Sequence, residues 1–152
     1  MNSPLKRSRE LQPLSRDHHH ALLLCWKIRT GIGKAIATTR INTYVHWFYQ
    51  HHLKPHFLVE EEWVFPILGS AHKHIQEALQ QHARLHTMFA QEDANEQSLM
   101  DLQAALEQHI RFEERVLFPE IQLQASAAQL MHIEQTHAAE PFIDNVADPF
   151  WT

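Results

Sequence analysis

At 152 residues the chain can bury a core without disulfide staples, and 44% hydrophobic against 20% charged residues places it with soluble globular domains rather than disordered ones. A formal charge of −5, with 13 Lys and Arg scattered apart from Lys6, Arg7 and Arg9, offers no concentrated basic surface and argues against nucleic acid as a partner. The longest apolar runs, such as Ala21 to Trp26, are too short to cross a bilayer, so no membrane association is expected. The opening MNSPLKRSRE lacks the apolar segment and cleavage site of a secretory leader. Cys25 stands alone, which excludes a disulfide within the chain and makes a reducing cytoplasm the simplest compartment. The outlier is histidine, 14 residues in all, and that excess needs a cause.

With only three glycines and seven prolines, and with segments rich in Leu, Ala, Gln and Glu, the chain reads as all-α. A first helix is predicted from Pro13 to Ser15, capped by Ser15, until Gly31 to Gly33 weaken it. The triplet His18, His19, His20 lies inside it, set directly before an amphipathic apolar run and therefore no expression tag. A second helix, capped by Thr38 or Thr39, runs toward Leu68 with a kink or break at Pro55. Gly69 suits its C-terminal cap, and Ser70 the start of a third helix carrying Ile75, Ala78, Leu79, Leu85 and Phe89. A polar linker, 91–95, precedes a fourth helix opened by Asp93 with Glu96 and continuing through Leu99, Leu102, Leu106, Ile110 and Val116 to Pro119. Ser126 with Gln129 starts a shorter fifth helix through His137, and the stretch after Pro141 reads as a docked extended tail. Short connections between four main helices make an antiparallel up-down four-helix bundle the economical fold, in one domain spanning 1–152 with its core at about 14–121 and an extension at 122–152.

HFLVEEEWVFPIL (56–68) and HIRFEERVLFPEI (109–121) share one frame, in which His56, Glu60, Glu61, Phe65 and Pro66 recur as His109, Glu113, Glu114, Phe118 and Pro119. Following each core stripe in steps of three and four gives Leu14, His18, Ala21, Cys25, Ile28 on the first helix. The third gives Ile75, Ala78, His82, Leu85 or His86, Phe89, and the fourth Leu99, Leu102, Leu106, His109, Glu113, Val116. Histidines interrupt every seam. Residues four apart on a helix point the same way, so HxxxE presents an imidazole and a carboxylate that can reach one metal ion. Burying such groups is costly unless they are paired or metal-bound, and a cation at the centre of the bundle meets that need on all four helices. Imidazole and carboxylate without thiolate indicate iron, manganese or zinc, and the mixed set in a helical bundle favours two irons.

The bland alternative is a set of hydrogen-bonded core histidines. Two copies of HxxxE in an identical frame, together with HxxxH at His82 and His86, weigh against it. His46, His51, His72, His74, His132 and His137 read as surface or packing residues, and Glu61 and Glu114, one position off the ligand face, as outer hydrogen-bond partners. Trp26, Trp47, Trp63, Phe65 and Phe118 read as core that keeps the site dry, and Cys25 as a small buried residue.

Over Leu14 to Ile121 these segments resemble the hemerythrin-like, or HHE cation-binding, family, bacterial branch. LSRDHHHALLL resembles its first histidine segment, QQHARLHTMF its third-helix histidine, and the two long repeats its HxxxE segments. The resemblance implies a four-helix bundle holding two non-haem irons with a bridging oxo or hydroxo group, zinc or manganese being possible substitutes. By position it implies the ligands His18, His56, Glu60, His82, His86, His109 and Glu113, with Glu60 and Glu113 as bridges; His19 is second choice on the first helix and His52 a reserve. The respiratory members use Asp in the last helix at a spacing one residue longer, where this chain has Glu113, which places it away from pure oxygen carriers. The expected role is binding or sensing of O2, with NO as another small ligand. The alternatives are a di-iron oxidoreductase or repair protein acting on NO, peroxide or iron-sulfur damage, and an iron-sensing interaction module. No separate acid-base or nucleophilic constellation stands out, so no catalytic residue is assigned, and a homodimer is left open.

Overall fold

The computed structural model describes residues 6–137 and 141–152. Residues 1–5, part of the stretch on which the absence of a leader was argued, and 138–140, between the last helix and the tail, lie outside the described residues. The described residues are helical with no strands, in the order expected. Helix α1 (Gln12–Gly33) packs along α5 (Glu96–Phe112) and against α2 (Thr38–Phe48), while α4 (Lys73–Phe89) closes the bundle against α5. Helix α2 continues through α3 (Lys54–Val59), and α5 continues into α6 (Phe118–Gln124). The short α7 (Ala127–Thr136) follows, and a docked tail ends the chain.

Helix starts differ from expectation where several polar residues compete. Helix α1 begins ahead of Ser15, with Pro13 in its first turn, where a missing N–H costs nothing, and Ser15 lies inside the helix. Neither Thr38 nor Thr39 caps α2, whose cap position is Ala37. His72 replaces Ser70, its ring Nδ1 accepting the His74 N–H at 3.1 Å. Asn95 with Ser98, rather than Asp93 with Glu96, forms the reciprocal capping box of α5. Ser126 and Gln129 cap α7 as expected. Gly69 sits at φ 90°, the left-handed conformation that favours glycine. Gly31 lies inside α1, where a Cβ would meet the Phe150 ring at 2.8 Å, so the close approach of the tail requires glycine, and the turn out of α1 is made by Ala35 at φ 57°.

Pro55 does not break the second rod. Each of Pro55, Pro66 and Pro119 follows a five-residue π-helical turn (Tyr49–Leu53, Glu60–Val64 and Glu113–Leu117), and in each case the residue just before the proline donates its N–H five residues back. A proline ring collides with the carbonyl four residues earlier in an α-helix; a wider turn moves that carbonyl aside and keeps the rod continuous. The two later π turns start at Glu60 and Glu113.

The wider turn also changes which residues lie beneath each glutamate. The core takes Val64 and Phe65, and Leu117 and Phe118, all at most 2% exposed. Trp63, expected inside, is 38% exposed and packs against the His132 ring, and Val116 is only half-buried. Trp26 is likewise exposed and Trp47 is half-buried, two further departures from the expected core. The buried apolar residues form two clusters, one around Ile28, Val45, Phe48 and Leu106, the other around Leu14, Val64, Ile75 and Phe118. The tail joins the first: Phe150 is buried, and Lys27 is held by Tyr44 at 2.8 Å and Asp144 at 2.5 Å.

Candidate metal centre

Between the two apolar clusters lies a buried polar layer. His18 from α1, His56 from α3, His82 from α4 and His109 from α5 are each at most 3% exposed, and Glu60 and Glu113 are fully buried. The four imidazoles turn Nε2 inward. His56 and His82 each place it 3.2 Å from Glu60 Oε1, while His109 and His18 place it 3.0 Å and 3.1 Å from Glu113 Oε1. These donors fall into two groups that could each hold an ion: His18, His56, Glu60 and Glu113; and Glu60, His82, His109 and Glu113. Both carboxylates belong to both groups.

The outward nitrogens fix what the inward ones offer. His18 Nδ1 faces Glu114 at 2.8 Å, His56 Nδ1 faces Asp17 at 2.9 Å and His109 Nδ1 faces the Gln81 amide oxygen at 2.7 Å. Each partner is an acceptor, so in the neutral ring each Nδ1 keeps the proton and Nε2 turns a lone pair inward. His18 and His56 then bring Nε2 atoms within 3.2 Å of each other, an arrangement that repels unless a proton or a cation lies between. Both Glu60 oxygens, Glu113 Oε2 and His109 Nε2 are buried without a hydrogen bond. Native proteins rarely leave such groups unsatisfied. Separations of about 3 Å are what neighbouring ligands subtend around an ion at roughly 2.1 Å, so the donor set suits a first-row transition metal.

Electrostatics point the same way. Burial opposes a charge on His18 and on His82, yet Glu113 with Glu114, and Glu60 with Glu61, hold their pKa values up at about 9. Burial and the facing Glu113 push Glu60 well above the ordinary carboxylate range. Burial also resists ionisation of Glu113, but His109 and His18 hold its pKa low. A layer this rich in competing charge is what a multivalent cation resolves.

Six of the seven sequence-nominated ligands therefore converge. His86 is placed elsewhere: it is half-buried, its Nδ1 bonds the Tyr49 hydroxyl, and it belongs to neither group of four. His19 is exposed, whereas His18 points inward, and His52 is half-buried outside both groups. Glu114 serves His18 from outside as expected, while Glu61 reaches His82 Nδ1 only at 3.5 Å. Sequence reasoning missed Asp17, Gln81 and His137. Asp17 joins His56 to His137, whose Nε2 lies 2.6 Å from the same carboxylate oxygen. Asp17 and Gln81 each directly precede a nominated ligand, as Glu61 and Glu114 directly follow one, a signal that was available. His137 is brought in by α7 from far along the chain and carried none.

Two further groups are built differently. His72 and His74 both engage Glu120, at 3.1 Å and 2.5 Å, but His72 Nδ1 already accepts a backbone N–H, so neutral His72 keeps its proton on Nε2 and donates it. This is a clasp between the start of α4 and α6. In the Asp17, His56, His137 group, His56 would have to turn its protonated nitrogen to an ion. A cavity of about 290 Å³ lined by Asp17, His51, His52, His56, His137 and Phe142 opens beside this group, while His56 itself stays buried.

No helix of the described residues is long and apolar enough to cross a membrane. Neither the curated proteins nor the solved structures contain a significant match to the chain. The sequence does match the Hemerythrin HHE cation binding domain over residues 9–121, a span containing all six converging side chains. With a helical bundle enclosing buried His and Glu donors, the chain belongs to the hemerythrin HHE family of cation-binding domains.

Proposed function

We propose that the chain is a non-haem di-iron protein that binds or senses O2, with the two irons held by His18, His56, His82 and His109 and bridged by Glu60 and Glu113. The observation that carries this reading is the sharing of both buried carboxylates by two otherwise separate pairs of imidazoles. Bound there, two irons supply reversible one-electron chemistry and open coordination positions for a diatomic ligand. The chain's own residues do the rest. Asp17, Glu114 and Gln81 hold the imidazoles in the tautomer that offers Nε2. Phe65, Phe118, Val64 and Leu117 keep water from one side of the layer, and Phe57, stacked on His82 at 4.0 Å, from another.

Anaerobic loading with Fe(II), followed by air, tests this: two irons per chain and visible charge-transfer absorption that reverses on deoxygenation are expected. An irreversible bleach with loss of iron refutes reversible O2 binding.

A second reading has its own support. Four imidazoles, two bridging carboxylates and one oxygen bridge fill about ten of twelve positions around two six-coordinate irons, leaving about two open when His86 stays with Tyr49. That openness favours a di-iron oxidoreductase acting on NO or peroxide. Turnover with a reductant that is insensitive to His86→Ala supports this reading; absence of turnover removes it. Zinc or manganese fits the same donors, and metal analysis from iron-supplemented cells decides among them.

A further inference from the structure

The two halves of the donor set share Glu60 and Glu113 and each add two imidazoles, so within the ligands themselves they are matched. Outside the ligands they are not. In the His18/His56 half both outward nitrogens meet carboxylates, Glu114 at 2.8 Å and Asp17 at 2.9 Å. Both of these carboxylates are braced in turn, Glu114 by Arg7 at 2.8 Å and Asp17 by His137 at 2.6 Å. In the His82/His109 half, His109 meets the neutral amide of Gln81 at 2.7 Å, and His82 has only Glu61 at 3.5 Å, with its Nδ1 making no hydrogen bond.

We infer that the centre is built to fill in order: the His18/His56 half takes the first ion, and the His82/His109 half, backed by Gln81, takes the second more weakly. The inference rests on the two-ion reading above. An anionic acceptor on Nδ1–H pushes electron density toward Nε2 and makes the imidazole a stronger donor, whereas a neutral amide orients the ring with far less push. Such outer partners change metal affinity about 10- to 100-fold, enough to separate two sites with otherwise equal ligands. Asp17, Glu114 and Gln81 are thus positioning residues that set an affinity ladder. The weaker half is also the one that exchanges its ion first, which leaves a one-ion state with His82 and His109 unligated.

The test is an anaerobic Co(II) titration of the full chain, followed by visible absorption and by bound-metal analysis. Wild type is expected to take two ions in steps at least about tenfold apart. His109→Ala should remove the weaker step and keep the tighter one, and Gln81→Glu should tighten the weaker step about tenfold while leaving the tighter one in place. Glu114→Gln should bring the two steps together by weakening the first. Far-ultraviolet circular dichroism confirms that each variant is folded. A single step for two ions in wild type, loss of the tighter step in His109→Ala, or a Gln81→Glu titration identical to wild type overturns the ordered filling. Fewer than two ions in wild type, or full binding retained by His56→Ala, overturns the two-ion reading itself, so the two failures are told apart.

Discussion

Replacing Glu60 with Gln separates a metal ligand from an ordinary buried acid. Glu60 is fully buried, both its oxygens lack hydrogen bonds, and burial together with Glu113 favours its protonated form. A protonated carboxyl and an amide have nearly the same shape, so in chelator the variant's stability should stay within about 1 kcal/mol of wild type. With metal the outcome reverses. Each ion at 100 times its Kd stabilises the fold by about 2.7 kcal/mol, and Glu60 belongs to both groups, so the variant stands to lose about 5 kcal/mol of metal-linked stability. For a chain of this size that is a fall of roughly 10 to 20 °C in Tm relative to loaded wild type. Thermal unfolding by circular dichroism, with chelator and with saturating Fe(II) or Co(II), reads both halves. Equal destabilisation in the two conditions would falsify the ligand assignment and make Glu60 a structural residue.

The metal-free protein should lose stability as the pH rises from 6.5 to about 9. His18 and His82 have folded pKa values raised from 6.5 to about 9, so their contribution is complete below 6.5 and lost through 9. Denaturant midpoints across that range check it, and a flat profile contradicts the paired histidines. Asp144→Ala leaves the Lys27 ammonium, 7% exposed, without its carboxylate and should cost about 3 to 5 kcal/mol in urea unfolding. Phe150→Ala should cost a similar 3 to 5 kcal/mol by opening a cavity against Gly31 and Ile41, whereas a cost below about 1 kcal/mol would show that the tail does not dock. Ala35→Gly should stabilise by about 1 kcal/mol, since φ 57° strains alanine and suits glycine.

Much of this was readable from the sequence because the decisive signals are periodic and polar. A histidine or glutamate in an apolar stripe is a conflict visible without coordinates, and six such conflicts mark the buried layer. The repeated Phe-Pro pair carries a consequence that periodicity does not express. Its effect comes from a collision between a proline ring and a carbonyl four residues earlier, which widens the helix at Glu60 and Glu113 and brings Val64 and Leu117 inward where steps of three gave Trp63 and Val116. Helix starts were misplaced because Ser70, Asp93 and Ser15 are chemically suitable caps, and the choice of His72 or Asn95 depends on where the chain turns. His86 follows the helical spacing from His82, yet Tyr49 reaches it from the second rod, a long-range contact that no local pattern carries. His137 joins Asp17 for the same kind of reason.

The most direct test of the two-ion centre is anomalous diffraction from crystals of the iron-loaded chain, collected on both sides of the iron edge. The account predicts two peaks per chain, one between His18 and His56, the other between His82 and His109, with Glu60 and Glu113 flanking both. A single peak, or a peak at Asp17 and His137 or at Glu120 instead, contradicts it.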